Sequence, residues 1–391
     1  MSDPFALAGR VVLKPGRERS VLRRHPWVYR GALAGAPPKG GPVEVLDSRG
    51  GRLGVALPGS SGGSLALRML VLGAGSWDEA ELQARMEAAL ALRRRLGIAS
   101  DAWRLVHAEG DHLPGLVIDR YGQAAVIETF EPFWEPYLPW LAAFLTRQLG
   151  ATVVLHRGGT VRGSPVRALV GEIPAEPVTI REGSVLHAVD LRGGQKTGFF
   201  LDQRDNRARV AALAAGRSLL NLFSYSGGFA VAALMAGARQ AVNVDESASA
   251  LALARASYRL NGLVAEETGF VCADAFAETR RMVVAGARFD LVVVDPPAFV
   301  RRREDLAAGL RGYRDINLQA LRLSAPGGLL LSCSCSALVD EAGLLGALQA
   351  AALDVGRRVR VLERRGAAPD HPLSLHCLES RHLQAWLCAV E

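Results

Sequence analysis

Apolar positions change their spacing twice along the chain. In residues 1–72 they come in short runs, at 11–13, 41–46, 54–57 and 65–71, broken by Gly, Pro and Ser clusters. Runs of that length between turn formers predict a small β-rich domain. Residues 73–190 mix two patterns, with apolar runs at 104–108, 116–119 and 123–130 and helical spacing at 134–149 that stops at Gly150. An α+β middle domain is expected there. It opens on Ser76-Trp77-Asp78-Glu79, a capping-box pattern whose helix runs to about Leu96 and is closed by Gly97. From 191 to 391 near-continuous apolar runs, at 218–223, 241–244, 269–272, 289–294 and 328–332, alternate with helical stretches such as 247–261 and 340–355. That alternation predicts a parallel sheet covered by helices on both faces.

Charge adds a second division. Residues 1–72 hold eleven Lys and Arg against four Asp and Glu, which accounts for the whole net charge of +7. A basic module on a neutral body suits a polyanion, most simply a nucleic acid; a solubilising surface is the plainer alternative. The cluster Arg23-Arg24-His25, followed by Trp27 and Tyr29, offers both phosphate contacts and stacking. Five scattered cysteines argue against a disulfide framework and for a reducing cytoplasm. No cysteine pair has zinc-ligand spacing with a His partner, so no metal is expected. The longest apolar stretches, such as 227–238, fall short of a membrane span, and residues 1–10 lack the pattern of a secretory signal.

In a parallel sheet ligands bind beyond the carboxyl ends of the strands, and four such ends carry suitable groups. The first leads into Phe223-Ser224-Tyr225-Ser226-Gly227-Gly228, where paired glycines permit a tight turn before a helix. A glycine needed only for packing would read the same way. The second ends at Asp245, whose carboxylate can accept from two ribose hydroxyls. The third gives Asp274-Ala275-Phe276, suited to the amine and ring of adenine. The fourth gives Asp295-Pro296-Pro297-Ala298-Phe299, a loop stiffened by two prolines. All four in order are hard to explain as packing.

This order resembles a class I S-adenosylmethionine (SAM)-dependent methyltransferase with a Rossmann-like domain. More narrowly, the chain resembles large-subunit ribosomal RNA cytosine-5 methyltransferases that carry an N-terminal PUA domain. The matching runs are Leu22-Arg23-Arg24-His25-Pro26-Trp27-Val28-Tyr29, residues 110–122, Lys196-Thr197-Gly198-Phe199-Phe200-Leu201-Asp202-Gln203-Arg204 with its continuation to 207, residues 221–228, 295–299, 311–317 and 332–336, and Asp370-His371-Pro372. The resemblance implies SAM as cosubstrate, 23S ribosomal RNA as partner, and a homodimer. It divides the chain into a PUA-like domain (1–72), a linking domain (73–190) and a methyltransferase domain (191–391). It also implies a cosubstrate pocket lined by Phe200, Arg204, Phe223, Ser224, Tyr225 and Gly227, joined by Asp245, Asp274, Ala275 and Asp295.

Carbon 5 of cytosine is a poor nucleophile, and a thiolate adding at carbon 6 activates it. Cys333 and Cys335 both stand at the end of the fifth strand, two residues apart and so on one face. Cys335 is nearer the carboxyl end and aligns with the family's Ser-Cys-Ser, so it is the expected nucleophile, with Asp295 holding the cytosine amine. Cys333, Cys272, Cys377 and Cys388 are expected to be structural. His371 is a candidate base, with a structural loop histidine as the alternative. Arg301, Arg302 and Arg303, after the Asp295 loop, form a second basic run for RNA. Two other functions fit the same fold: methylation of an exocyclic amine on adenine or guanine, and a catalytically dead RNA-binding protein. An alanine between the prolines and Phe299 speaks against the first, and the intact acidic residues with Cys335 against the second.

Overall fold

The computed structural model describes residues 3–59, 64–158, 165–265 and 269–391. They form two compact units that interleave along the chain. The first comprises 1–175, 191–198 and 369–380, and the second 176–190, 199–368 and 381–391. The sequence boundary at 190/191 therefore shifts. The hairpin just before it belongs with the sheet of the second unit, while 191–198 and 369–380 pack in the first. Among the described residues, no helix is long and apolar enough to cross a membrane.

The first unit contains two five-stranded sheets. One holds β1 (Gly9–Val12), β2 (Trp27–Tyr29), β3 (Val43–Leu46), β4 (Arg52–Pro58) and β5 (Leu65–Leu72) in the order β1-β3-β4-β5-β2, with the one-turn helix α1 (Arg19–Leu22) beside it. Alternation places Val11, Val43, Val45 and Leu67 in one apolar core. Next comes α2 (Glu79–Arg95), where the capping box is replaced by a simpler cap: Asp78 accepts from the Glu81 N–H, and Ser76 donates to Asp78. The second sheet holds β6 (Ala102–His107), β7 (Leu116–Tyr121), β8 (Ala124–Thr129), β9 (Val153–Gly158) and β10 (Val166–Val170) in register order β10-β9-β8-β7-β6, packed with α2 and α3 (Leu138–Leu149) around Met86, Leu105, Ile118 and Trp134. Buried ion pairs tie this unit together. Arg93 grips Asp111 through two bonds of 2.5 and 2.7 Å, and Arg104 grips Asp119 through two of 2.8 Å. Asp370 joins them, its carboxylate accepting from the Arg104 N–H and its carbonyl from Arg93. His371 is buried against Asp370 and His107 in the same network, which gives it the structural role rather than that of a base.

The second unit is a seven-stranded sheet with helices. A two-stranded hairpin, β11 (Val178–Glu182) with β12 (Val185–Val189), precedes α4 (Arg204–Ala212). Then follow β13 (Ser218–Leu222), α5 (Gly228–Met235), β14 (Gln240–Asp245), α6 (Ala248–Leu260), β15 (Phe270–Cys272), α7 (Ala275–Val284), β16 (Phe289–Val294), α8 (Leu306–Leu323), β17 (Ser324–Ser334), α9 (Glu341–Val355), β18 (Val359–Gly366) and β19 (Gln384–Val390). The strand order is β15-β14-β13-β16-β17-β19-β18, with β19 antiparallel to both of its neighbours. Two apolar cores form, one on each face of the sheet. That is why these strands are apolar at nearly every position. The order reverses between β13 and β16, so a crevice opens at their carboxyl ends.

Candidate active site

Strand register brings the sequence candidates to one level. Leu222 pairs with Val244 and Val294, and Val294 with Ser332. One residue further on, Phe223, Asp245, Asp295 and Cys333 therefore lie in a row along the carboxyl edge. The loop after β13 is strained into place: Phe223, Tyr225 and Gly227 have φ of 57°, 46° and 70°. At Gly227 that backbone suits glycine, and a Cβ would sit 2.9 Å from that of Ala254. Asp245 holds the loop by accepting from the Tyr225 N–H at 2.8 Å, and it accepts from Ser247 at 2.9 Å. Each oxygen retains a second lone pair for a ligand hydroxyl.

The remaining candidate residues come from three elements. Phe200 packs edge-on against Tyr225, with ring centroids 5.2 Å apart. Its carbonyl accepts from Arg207, which also stacks over Phe199 and grips Glu182 of β11. Arg204 begins α4 and is largely buried, with its guanidinium on Asp205. Asp274 caps α7 by accepting from the Ala277 N–H at 2.8 Å, leaving the other carboxylate oxygen for a ligand, and Ala275 is buried behind it. Phe223, Phe276 and Phe299 form an aromatic cluster with centroids 5.9–6.3 Å apart.

The two cysteines separate by depth. Cys333 is fully buried, and its thiol is pushed well above the ordinary range by desolvation and then by the Asp295 charge. Cys335 lies one strand repeat further out, half-buried, with its Sγ donating to the Pro296 carbonyl of the Asp295 loop at 3.7 Å. Cys377 and Cys388 are buried, but Cys272, expected to be structural, is exposed beside the Glu246 carbonyl.

On the basic surface, Arg23 and Arg24 are exposed, while His25 and Trp27 are engaged by the fold. The indole of Trp27 donates to Glu109 at 2.8 Å, and His25 faces Glu379. Arg301 and Arg303 are exposed, and Arg302 pairs with Glu304. Among the described residues, His25, Cys377 and Glu379 form one group with metal-capable atoms. Nδ1 of His25 accepts from the Trp27 N–H, so Nε2 carries a proton and has no lone pair to offer.

A sheet of this order, with a glycine turn after β13 and Asp245, Asp274 and Asp295 at the ends of β14, β15 and β16, defines a SAM-dependent methyltransferase of the Rossmann-like type. The family model described as S-adenosylmethionine-dependent methyltransferase matches residues 138–373, and the PUA-like domain model matches 11–70. The chain belongs to the family of ribosomal RNA large subunit methyltransferase I. It is 36% identical to the protein of that name from Klebsiella pneumoniae (strain 342), covering 98% of this chain and 99% of that one. It is 37% identical to that of Erwinia tasmaniensis, with 97% and 99% covered. In fold it is similar to the crystal structure of SMU.776 complexed with SAH, with a TM-score of 0.87, 20% identity, and 97% and 99% of the two chains covered. The cosubstrate is SAM.

The polar groups at these strand ends suit that molecule's hydroxyls. Ser224 Oγ is buried at the loop and makes no hydrogen bond among the described residues, and Asp245 has lone pairs to spare. Asp245→Ala should weaken SAM binding by about 1.5–3 kcal/mol, the range for bonds to a charged group. Calorimetry that returns the wild-type affinity removes Asp245 from the site.

Sequence reasoning missed Glu182, which carries no motif and meets Arg207 only through the fold. It also assigned no role to Tyr313, although the run at 311–317 was recognisable.

Proposed function

We propose that this protein forms 5-methylcytosine in large-subunit ribosomal RNA, with Cys335 as the covalent nucleophile. The observation that carries the reading is the contrast between the two thiols. Cys335 is half-buried and lies against the Asp295 loop, whereas Cys333 is fully buried and held protonated. The names of the relatives, which are ribosomal RNA methyltransferases, supply the substrate class.

SAM, when bound, supplies the methyl group. The Cys335 thiolate adds to carbon 6 of cytosine, and the displaced electron pair moves to carbon 5, which takes the methyl. Loss of the carbon-5 proton to a base then expels the thiolate and restores the ring. Asp295, one residue beyond β16, accepts from the cytosine amine and fixes the base beside the thiol. Phe200, Arg204, Phe223, Ser224, Tyr225, Gly227, Asp245, Asp274 and Ala275 hold the cosubstrate. Residues 1–72 deliver RNA through the exposed Arg23 and Arg24, with Arg301, Arg302 and Arg303 as a second contact. Since His25 and Trp27 are tied to Glu379 and Glu109, they orient this surface more than they contact RNA.

Nucleoside mass spectrometry of ribosomal RNA tests the reading. A strain lacking the gene should lose one 5-methylcytidine from the large subunit and regain it with the wild-type chain. Loss of a methylated adenosine or guanosine instead would assign the enzyme to exocyclic-amine chemistry.

A further inference from the structure

The two serines that flank Cys335 share one buried partner. Ser334 Oγ donates to Tyr313 Oη at 2.8 Å, and Tyr313 Oη lies 2.9 Å from Ser336 Oγ. Ser336 N–H in turn donates to Ser334 Oγ at 3.3 Å, and Val300 N–H donates to Ser336 Oγ at 3.2 Å. Ser334 donates to the phenol oxygen, and between Tyr313 and Ser336 either hydroxyl can donate. The result is a closed ring: Ser336 N–H donates to Ser334, Ser334 donates to Tyr313, and Tyr313 shares a hydrogen bond with Ser336. Tyr313, Ser334 and Ser336 are 0%, 1% and 3% exposed, so water does not compete for these bonds. Burial, opposed by the bonds to the serines, raises the Tyr313 hydroxyl above its ordinary value and keeps it protonated.

Resting on the Cys335 reading, we infer that Tyr313 is the positioning residue of the nucleophile, clamping both neighbours of Cys335 so that its thiol is held at the Asp295 loop. The ring is anchored from two sides. Tyr313 projects from α8 and packs against Phe299 at 4.8 Å between centroids, and the Val300 N–H ties the same serine to the chain just past the Asp-Pro-Pro turn. Residues 335 and 336 lie beyond the last ladder pair of β17, Ser334 with Gln384, so the clamp acts where the strand ladder has ended. The arrangement gives a physical reason for serine on both sides of the cysteine, since each side chain supplies a bond that an alanine cannot.

Tyr313→Phe tests this directly, because it removes one oxygen and keeps the ring against Phe299. Methyl transfer should fall by about 10- to 100-fold in kcat, the cost of a misplaced reacting group. The KM for RNA and SAM affinity by calorimetry should stay at wild-type values. In a Cys272→Ser background, the pH profile for iodoacetamide alkylation of Cys335 should shift, a readout that a purely structural role would not move. Ser336→Ala should behave like Tyr313→Phe, Ser336→Thr should recover activity, and combining Tyr313→Phe with Ser336→Ala should cost no more than either alone. These serine variants carry the test should Tyr313→Phe fold poorly. Wild-type kcat and an unmoved alkylation profile in both Tyr313→Phe and Ser336→Ala would overturn the clamp. Failure of the nucleophile reading looks different: Cys335→Ser then retains methyl transfer, while in chains that keep Cys335 the alkylation profile still shifts with Tyr313→Phe.

Discussion

Cys335→Ser should abolish methyl transfer, by at least ~10⁴-fold, since removing a covalent nucleophile costs that much or more in other enzymes. A serine hydroxyl fits the space but is not ionised near neutral pH, so addition to carbon 6 fails. SAM binding should persist, because the thiol acts on the base and makes no contact that the cosubstrate requires. RNA carrying 5-fluorocytosine at the target should trap a stable adduct with the wild-type chain, since carbon 5 then has no proton to lose after methylation. The adduct should form equally with Cys333→Ser, whose thiol is fully buried and held protonated, and should vanish with Cys335→Ser. An adduct that depends on Cys333 would mean that the base enters one strand repeat deeper than proposed. Methyl transfer that continues without either thiol would remove covalent catalysis altogether.

Arg207→Met should destabilise the chain by about 3–5 kcal/mol, the cost of leaving one member of a buried pair uncompensated. Glu182 has a side chain only 8% exposed and is gripped by the Arg207 guanidinium, with His187 Nε2 3.5 Å away. Burial alone pushes its carboxyl up, but Arg207 and then His187 more than reverse this and hold it down at about 2, against an ordinary 4.5. A carboxyl depressed in the folded state adds stability that is complete above its unfolded value and is lost as pH falls through its folded value. The gap between wild type and Arg207→Met, measured by urea unfolding, should therefore be widest above pH ~5 and should close toward pH ~2. Glu182→Leu combined with Arg207→Met should recover much of the loss, because no charge is left buried alone. SAM affinity should also drop in Arg207→Met, since the guanidinium donates to the Phe200 carbonyl and Phe200 supports Tyr225. Wild-type stability of Arg207→Met at pH 7 would rule out the pair as a structural anchor.

The sequence carried four of the five parallel strands nearly to the residue, whereas β17, expected at 328–332, runs Ser324–Ser334. β16 was expected at 289–294 and is Phe289–Val294, and β13, β14 and β15 differ by one residue at an end or both. Strands buried on both faces are apolar throughout, so their limits are written in neighbouring residues. The candidate site residues were legible for the same reason. Each acidic group follows an apolar run directly, and parallel register puts Phe223, Asp245 and Asp295 at one level. Caps were harder. Ser76 and Asp78 are both good N-caps, and only the coordinates show that Asp78 takes the role while Ser76 supports it.

What the sequence left open depends on partners far apart in the chain. β11 and β12 are half-polar strands with no clean alternation, and they join the second unit through contacts such as Leu186 N–H to Asn261, 75 residues away. Asp370 gave no sign of belonging to the first unit, because its partner Arg93 is 277 residues distant. Cys333 and Cys335 are alike in composition and share a face. Burial separates them, and burial is set by β16 and β19 on either side of the strand. The Tyr313 ring likewise joins α8 to the end of β17 across more than twenty residues. The sequence by itself determined which strands, turns and acidic strand ends exist, because spacing and backbone preference act between residues a few positions apart. The tertiary structure alone decided how deeply each thiol is buried, which charges are paired and which hydroxyls flank Cys335, because each of those is fixed by desolvation and contact between distant segments.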